Sequence, residues 1–125
     1  MPLRGEVYFP AKNLPPDQDT PHRCVVLSPT NLMAHHPNVK GNKLFVVVAI
    51  IRSATHQSGT PVRLVPGHSV PITVTDFSFL DHDSIVETHQ LFAVELDVFR
   101  RKHPMGRISG QVLTDILRGA QRLFS

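Results

Sequence analysis

Tryptophan is missing from these 125 residues, and tyrosine and cysteine occur once each, as Tyr8 and Cys24. A lone cysteine cannot close an internal disulfide and leaves no thiolate set for a metal. It heads an apolar strand and reads as a small buried hydrophobe in a reducing cytoplasm. Without tryptophan, any stacking on nucleic-acid bases falls to Phe, Tyr8, His or Arg. The longest apolar run, Leu44 to Ile51, has eight residues, against the roughly 20 that span a membrane as a helix. Met1 to Glu6 contains no apolar stretch of signal-peptide length. There is no glycine-rich phosphate loop and no nucleophile elbow. The eight histidines form no H-x-x-H or H-E-x-x-H arrangement: His35 and His36 are adjacent, and His82 and His89 stand seven apart. Neither a metal nor another cofactor is expected, and no membrane partner.

What is present fits one folded domain over residues 1–125, with a hydrophobic fraction of 41%. The formal charge of +3 is unevenly spread. Residues 1–75 carry seven basic and three acidic side chains, residues 76–97 six acids and no Lys or Arg, and residues 98–125 six basic against one acidic. A polyanion would meet basic surface from both ends of the chain and be repelled by the middle.

Short apolar runs mark strands at Val7-Tyr8-Phe9, Val25-Val26-Leu27 and, β-branched and apolar on both faces, Leu44 to Ile51. Further strands are expected at Pro61 to Val65, over Val70 to Phe79 with Ile72, Val74 and Phe77 inward, at Ser84 to Glu87 and at Gln90 to Val94. A turn-rich loop of twelve residues from Pro10 to Pro21 is long enough to be functional. After Ser109, a candidate N-cap, Val112, Leu113, Ile116, Leu117, Ala120 and Phe124 recur at helical spacing. No helix separates successive strands. The fold class is therefore mainly β, a small curled barrel closed by a C-terminal amphipathic helix.

Arg23 stands between the proline-bearing loop and the second strand. A guanidinium at a strand's first residue has its direction fixed while its head stays wet, which suits a phosphate contact. The plain alternative is a rim arginine paired with Glu6 or Glu87. RNA cleavage without metal needs help for the 2′-hydroxyl, a cation for the charge on the phosphoryl oxygens, and a proton for the departing 5′ oxygen. Arg23 meets the second need. His22 or His56 suits proton transfer, Ser53 and Thr55 can bond a phosphate oxygen, and Arg52 adds a second guanidinium. Arg63, His89 and Gln90 are candidates for holding RNA. The plain alternative for Arg52 to Gly59 is a polar loop between strands.

Arg4-Gly5-Glu6-Val7-Tyr8, His22-Arg23 before Leu27-Ser28-Pro29, Val46 to Ile51 leading to Pro61-Val62-Arg63-Leu64, Ser84-Ile85-Val86 before Gln90-Leu91-Phe92, and Gly106 to Ser109 occur in an order that resembles the toxin family typified by MazF and PemK. The resemblance implies an SH3-like barrel and a homodimer. It also implies a toxin–antitoxin endoribonuclease that cuts single-stranded RNA at a short sequence, leaving 2′,3′-cyclic phosphate and 5′-hydroxyl ends. The implied protein partner is an antitoxin whose acidic, disordered tail lies over an acid-free basic surface around Arg23, Arg52 and Arg63. In such toxins an arginine opening the second strand and a threonine after the third form the main catalytic pair. Arg23 matches the first; Ile51 or Arg52 falls where the threonine is expected, with Ser53 and Thr55 the nearest hydroxyls, and Cys24 replaces a proline. The alternative is a weakened or inactive member acting as an RNA- or protein-binding module. Gyrase-poisoning relatives of the CcdB type act through a tryptophan-bearing C-terminal end, which this chain lacks.

Overall fold

A computed structural model describes residues 2–9, 22–28, 45–99 and 102–124. Leu44, the Pro10 to Pro21 loop and His35-His36 lie outside the described residues. Among these residues six antiparallel strands form one curled sheet: β1 (Glu6–Tyr8), β2 (Arg23–Val26), β3 (Phe45–Ser53), β4 (Ser69–Ile72), β5 (Ser84–Glu95) and β6 (Gly106–Arg107), in the spatial order β4-β5-β3-β2-β1-β6. A 3₁₀ turn, Leu96–Phe99, follows β5, and the helix α1 (Gly110–Gln121) follows β6. The architecture is a mainly β half-barrel with a C-terminal helix.

Alternation along the strands splits the apolar residues between two faces. Val7, Val25, Ala49, Ile51, Ile72 and Val86 face α1 and pack with its Ile116 and Ala120. Tyr8, Cys24, Val26, Val46, Val48 and Ile50 face the other way and pack with Val94 and Phe99. The Tyr8 and Phe99 rings meet edge to face at 5.0 Å. This two-sided demand explains why the third strand reads as a nearly unbroken apolar run.

The expected strands at Ser84 and Gln90 are one long strand with a bend. Ala49 pairs with Leu91 while its neighbour Ile50 pairs with Glu87, so Thr88, His89 and Gln90 are extra on the β5 side. The extra residues restore parity, returning Leu91 to the helix face and Phe92 to the other. Thr88 ties the bend to the residue before β4, donating from both its N–H and its hydroxyl to the His68 carbonyl at 3.0 and 2.7 Å. Helix α1 approaches closely here because Gly119 has no Cβ; one would fall 2.5 Å from Thr88 Oγ1.

Three expectations are corrected. Pro61 to Val65 forms no strand: Pro61 makes an isolated bridge to Thr55, Val62 alone is buried, and the rest runs over the surface. The strand expected over Val70 to Phe79 is confined to Ser69–Ile72 and gives way to turns; Ile72 is buried and Phe77 packs on the helix-side core, but Val74 is exposed. Phe124 continues the helical spacing in sequence but lies in a terminal 3₁₀ turn, 84% exposed. Ser109 is the N-cap by position, though its side chain makes no capping bond.

Candidate active site

Arg23 opens β2 opposite Ile51 of β3, which places its side chain on the helix-facing side of the sheet. The expectation that its head stays wet is corrected: the residue is only 8% exposed. The cover comes from the loop before β5. Arg23 Nη1 donates to Asp81 Oδ1 at 3.2 Å, and Nη2 donates to His82 Nε2 at 3.0 Å and to Ser84 Oγ at 3.3 Å. Neither Glu6 nor Glu87, the carboxylates expected beside it, takes part. Glu6 accepts from the Leu3 N–H and the Tyr8 hydroxyl, and Glu87 accepts from Ser69 Oγ at 2.6 Å.

The loop that brings Asp81 and His82 to Arg23 is pinned on both sides. Leu80 is buried in the helix-side core. Asp83 receives the Ala54 N–H on its carbonyl at 3.0 Å and the Val74 N–H on its carboxylate at 2.9 Å. Between these anchors the Asp81 side chain is 77% and the His82 side chain 45% exposed. A buried guanidinium thus meets two water-accessible partners.

The contacts fix the state of His82. A guanidinium has only donors, so the ring nitrogen facing it, Nε2, must accept. The proton then sits on Nδ1, which lies 2.6 Å from Asp81 Oδ1 and donates to it. Asp81 Oδ1 consequently receives from both Arg23 and His82. Ser84 closes the arrangement, accepting from Arg23 while donating to the His82 carbonyl at 3.0 Å. Asp81, His82 and Ser84 were absent from the sequence-derived candidates. Their only signal was a cluster of acid, histidine and hydroxyl directly before a strand, weighed for histidine only as a metal ligand.

Ser53 is the register partner of Ser84 and stands two residues beyond Ile51, so it shares the face used by Arg23. Its hydroxyl accepts the Thr55 N–H at 3.3 Å. Thr55 itself is exposed in the bridge to Pro61. His22, next to Arg23, is half-buried; His56 and Arg63 are exposed. Arg52 does not share the Arg23 face. It follows Ile51 directly, so its side chain turns to the opposite side, where it lies 3.9 Å from the buried carboxylate of Glu87. His89 and Gln90 lie in the β5 bend, the His89 ring 5.8 Å edge-on from His68.

The expectation of an acid-free surface around Arg23, Arg52 and Arg63 is corrected by these pairings. The acidic run of residues 76–97 folds against the basic first half, giving Asp81 to Arg23 and Glu87 to Arg52. Beneath the site, Cys24 points into the opposite core, where burial pushes its thiol up to about 12. Among the described residues no group of three His, Cys, Asp or Glu is placed to hold a metal ion, and no helix is long and apolar enough to cross a membrane.

Comparison with known proteins adds family and fold. No curated protein sequence matches the chain. A solved structure described as an endoribonuclease in complex with its cognate antitoxin, from mycobacterial species, superposes with a TM-score of 0.67 over 99% of this chain and 95% of that one, at 16% identity. That likeness is one of fold. The family model for PemK-like, MazF-like toxins of type II toxin–antitoxin systems matches residues 3–124, nearly the whole chain, so this protein belongs to that toxin family.

Proposed function

We propose that the protein is the toxin of a toxin–antitoxin pair and cuts single-stranded RNA at a short sequence without a metal ion. The observation that carries this reading is Arg23, a guanidinium buried at a strand end and held in direction by Asp81, His82 and Ser84. A fixed cation of this kind stabilises charge that develops on phosphoryl oxygens, with little reorganisation at the moment of reaction. It supplies the positive charge that a divalent ion supplies elsewhere. Ser53, on the same face, offers a hydroxyl to a phosphate oxygen while Ser84 helps hold Arg23, and attack by the 2′-hydroxyl leaves a 2′,3′-cyclic phosphate and a 5′-hydroxyl. A homodimer and an antitoxin with an acidic tail complete the reading; such a tail would compete with Asp81 for Arg23 rather than meet a bare basic surface.

A second reading, a family member whose chemistry has lapsed and which only binds RNA or protein, is favoured by the carboxylate already seated on Arg23. One experiment separates them. Purified protein is incubated with end-labelled, mixed-sequence RNA in EDTA, and the fragments are tested for cyclic-phosphate ends. Discrete cuts that disappear in Arg23→Ala are expected. Intact RNA with the wild-type protein would leave the binding module.

A further inference from the structure

The geometry points to His82, oriented by Asp81, as the general base of this site, a role that rests on the nuclease reading above. Three features converge on it. Among the described residues, His82 is the one histidine in contact with Arg23. Its ring is neutral and presents the Nε2 lone pair toward the guanidinium, while Nδ1–H is held by a carboxylate at 2.6 Å. Its side chain is 45% exposed, so a ribose can reach it.

In the free protein Arg23 occupies that lone pair. A substrate phosphate that draws the guanidinium's N–H groups onto its own oxygens frees Nε2 beside the same phosphate, where the 2′-hydroxyl lies. Nε2 then takes the 2′-hydroxyl proton as the 2′-oxygen bonds to phosphorus. The bond from phosphorus to the 5′ oxygen breaks, and that oxygen leaves with its electron pair and takes a proton from water. The imidazolium, stabilised by Asp81, returns its proton to solvent, so the step has no net proton change and no redox component. Asp81 is a positioning residue: it accepts the Nδ1 proton and so holds the tautomer that leaves Nε2 free to act as a base.

The charged groups that face the ring are Asp81 from its own loop and Arg23 from β2. Asp83, the next residue in the chain, is engaged with the Val74 N–H, and His22 is the sequence neighbour of Arg23.

The test measures cleavage of labelled mixed-sequence RNA in EDTA between pH 5 and 9. Wild-type kcat/KM is expected to rise with unit slope as a single base loses its proton, and then to level off. His82→Gln is expected to lower kcat at least about a hundredfold, with KM within a few-fold and the acid limb gone. Asp81→Asn, which keeps the hydrogen-bonding side chain's size but not its charge, is expected to lower kcat with KM within a few-fold and to lose the preference for the proton on Nδ1 of His82. Nitrogen-15 NMR of the free protein is expected to find the His82 proton on Nδ1. A proton on Nε2 would overturn the assignment independently of activity. So would an unchanged limb and rate in His82→Gln while Arg23→Ala is inactive, and that result would leave the nuclease reading standing. A limb lost in His22→Gln but kept in His82→Gln also overturns it. Wild-type protein that leaves RNA intact at every pH overturns the nuclease reading and the base with it.

Discussion

Asp81→Ala distinguishes an ordinary surface ion pair from the neutralisation of a buried cation. The partners differ sharply in access to water, the Asp81 side chain being 77% exposed and that of Arg23 9%. At their separation of 3.2 Å, Coulomb's law gives about 1.3 kcal/mol with the dielectric constant of water and about 5 kcal/mol at an effective value near 20. Exposure of the carboxylate pulls the answer toward the lower figure. A hydrogen bond to a charged group contributes about 1.5–3 kcal/mol net. Asp81→Ala should therefore cost about 1.5–2 kcal/mol, because the guanidinium keeps His82 and Ser84 but loses its anion. Arg23→Ala removes the packing of a buried stem and should cost about 1–2 kcal/mol. It should not unfold the chain, since the partners it leaves behind can hydrate. In the Arg23→Ala background, Asp81→Ala should cost under about 0.5 kcal/mol. The loss of the Asp81–His82 bond is common to both backgrounds and cancels in the cycle. Urea unfolding of the four proteins, with m unchanged, then gives a coupling energy of about 1–1.5 kcal/mol. A coupling indistinguishable from zero would show that the Asp81 contact is only surface decoration and that Arg23 is held by His82, Ser84 and its place in β2.

Alkaline stability should follow the two buried acids. Burial, with Glu6 adding to it for Tyr8, raises Tyr8 from 10.0 to about 12, and burial raises Cys24 from 9.0 to about 12. The folded state keeps protons that the unfolded chain releases, so this stability is complete below about pH 9 and is lost as pH climbs toward 12, at about 1.4 kcal/mol per pH unit for each group. Between pH 9 and 10 the slope belongs mainly to Cys24; denaturant titrations should find it abolished in Cys24→Ala, and an equal slope in that variant would contradict the assignment. The same burial predicts that Cys24 in native protein stays unreactive toward a thiol reagent at pH 8 until urea is added. Gly5→Ala should cost about 2–4 kcal/mol. Gly5 has φ +89°, and a Cβ would fall 2.5 Å from the Ile108 carbonyl oxygen. That strand cannot retreat, because the Ile108 N–H donates to the Gly5 carbonyl at 2.8 Å. A loss under about 1 kcal/mol in thermal or urea unfolding would refute this.

Much of the framework was legible in the residues alone, because it depends on local period. Short apolar, β-branched runs located β2 and β3, the three-and-four spacing from Val112 to Ala120 located α1, and a strand-opening arginine was recognisable as Arg23. The burial of Cys24 followed from its place in an apolar strand. What the pattern could not supply was pairing. Pro61 to Val65 alternates like a strand, yet among the described residues it has no partner strand apart from the bridge at Pro61, and without a ladder the pattern has nothing to stabilise. Arg23 and Arg52 look equivalent as basic residues at strand ends, but register places Arg23 opposite Ile51 and so puts Arg52 on the other face. The partners of Arg23 lie 58 to 61 residues away in sequence, on a loop with no periodicity to betray it. Only the folded sheet, with Leu80 buried and Asp83 bonded to both neighbouring segments, brings that loop over the strand end. The residue types were set by the sequence; their assembly into an Asp–His–Arg cluster was a consequence of long-range closure, which local physical chemistry does not encode.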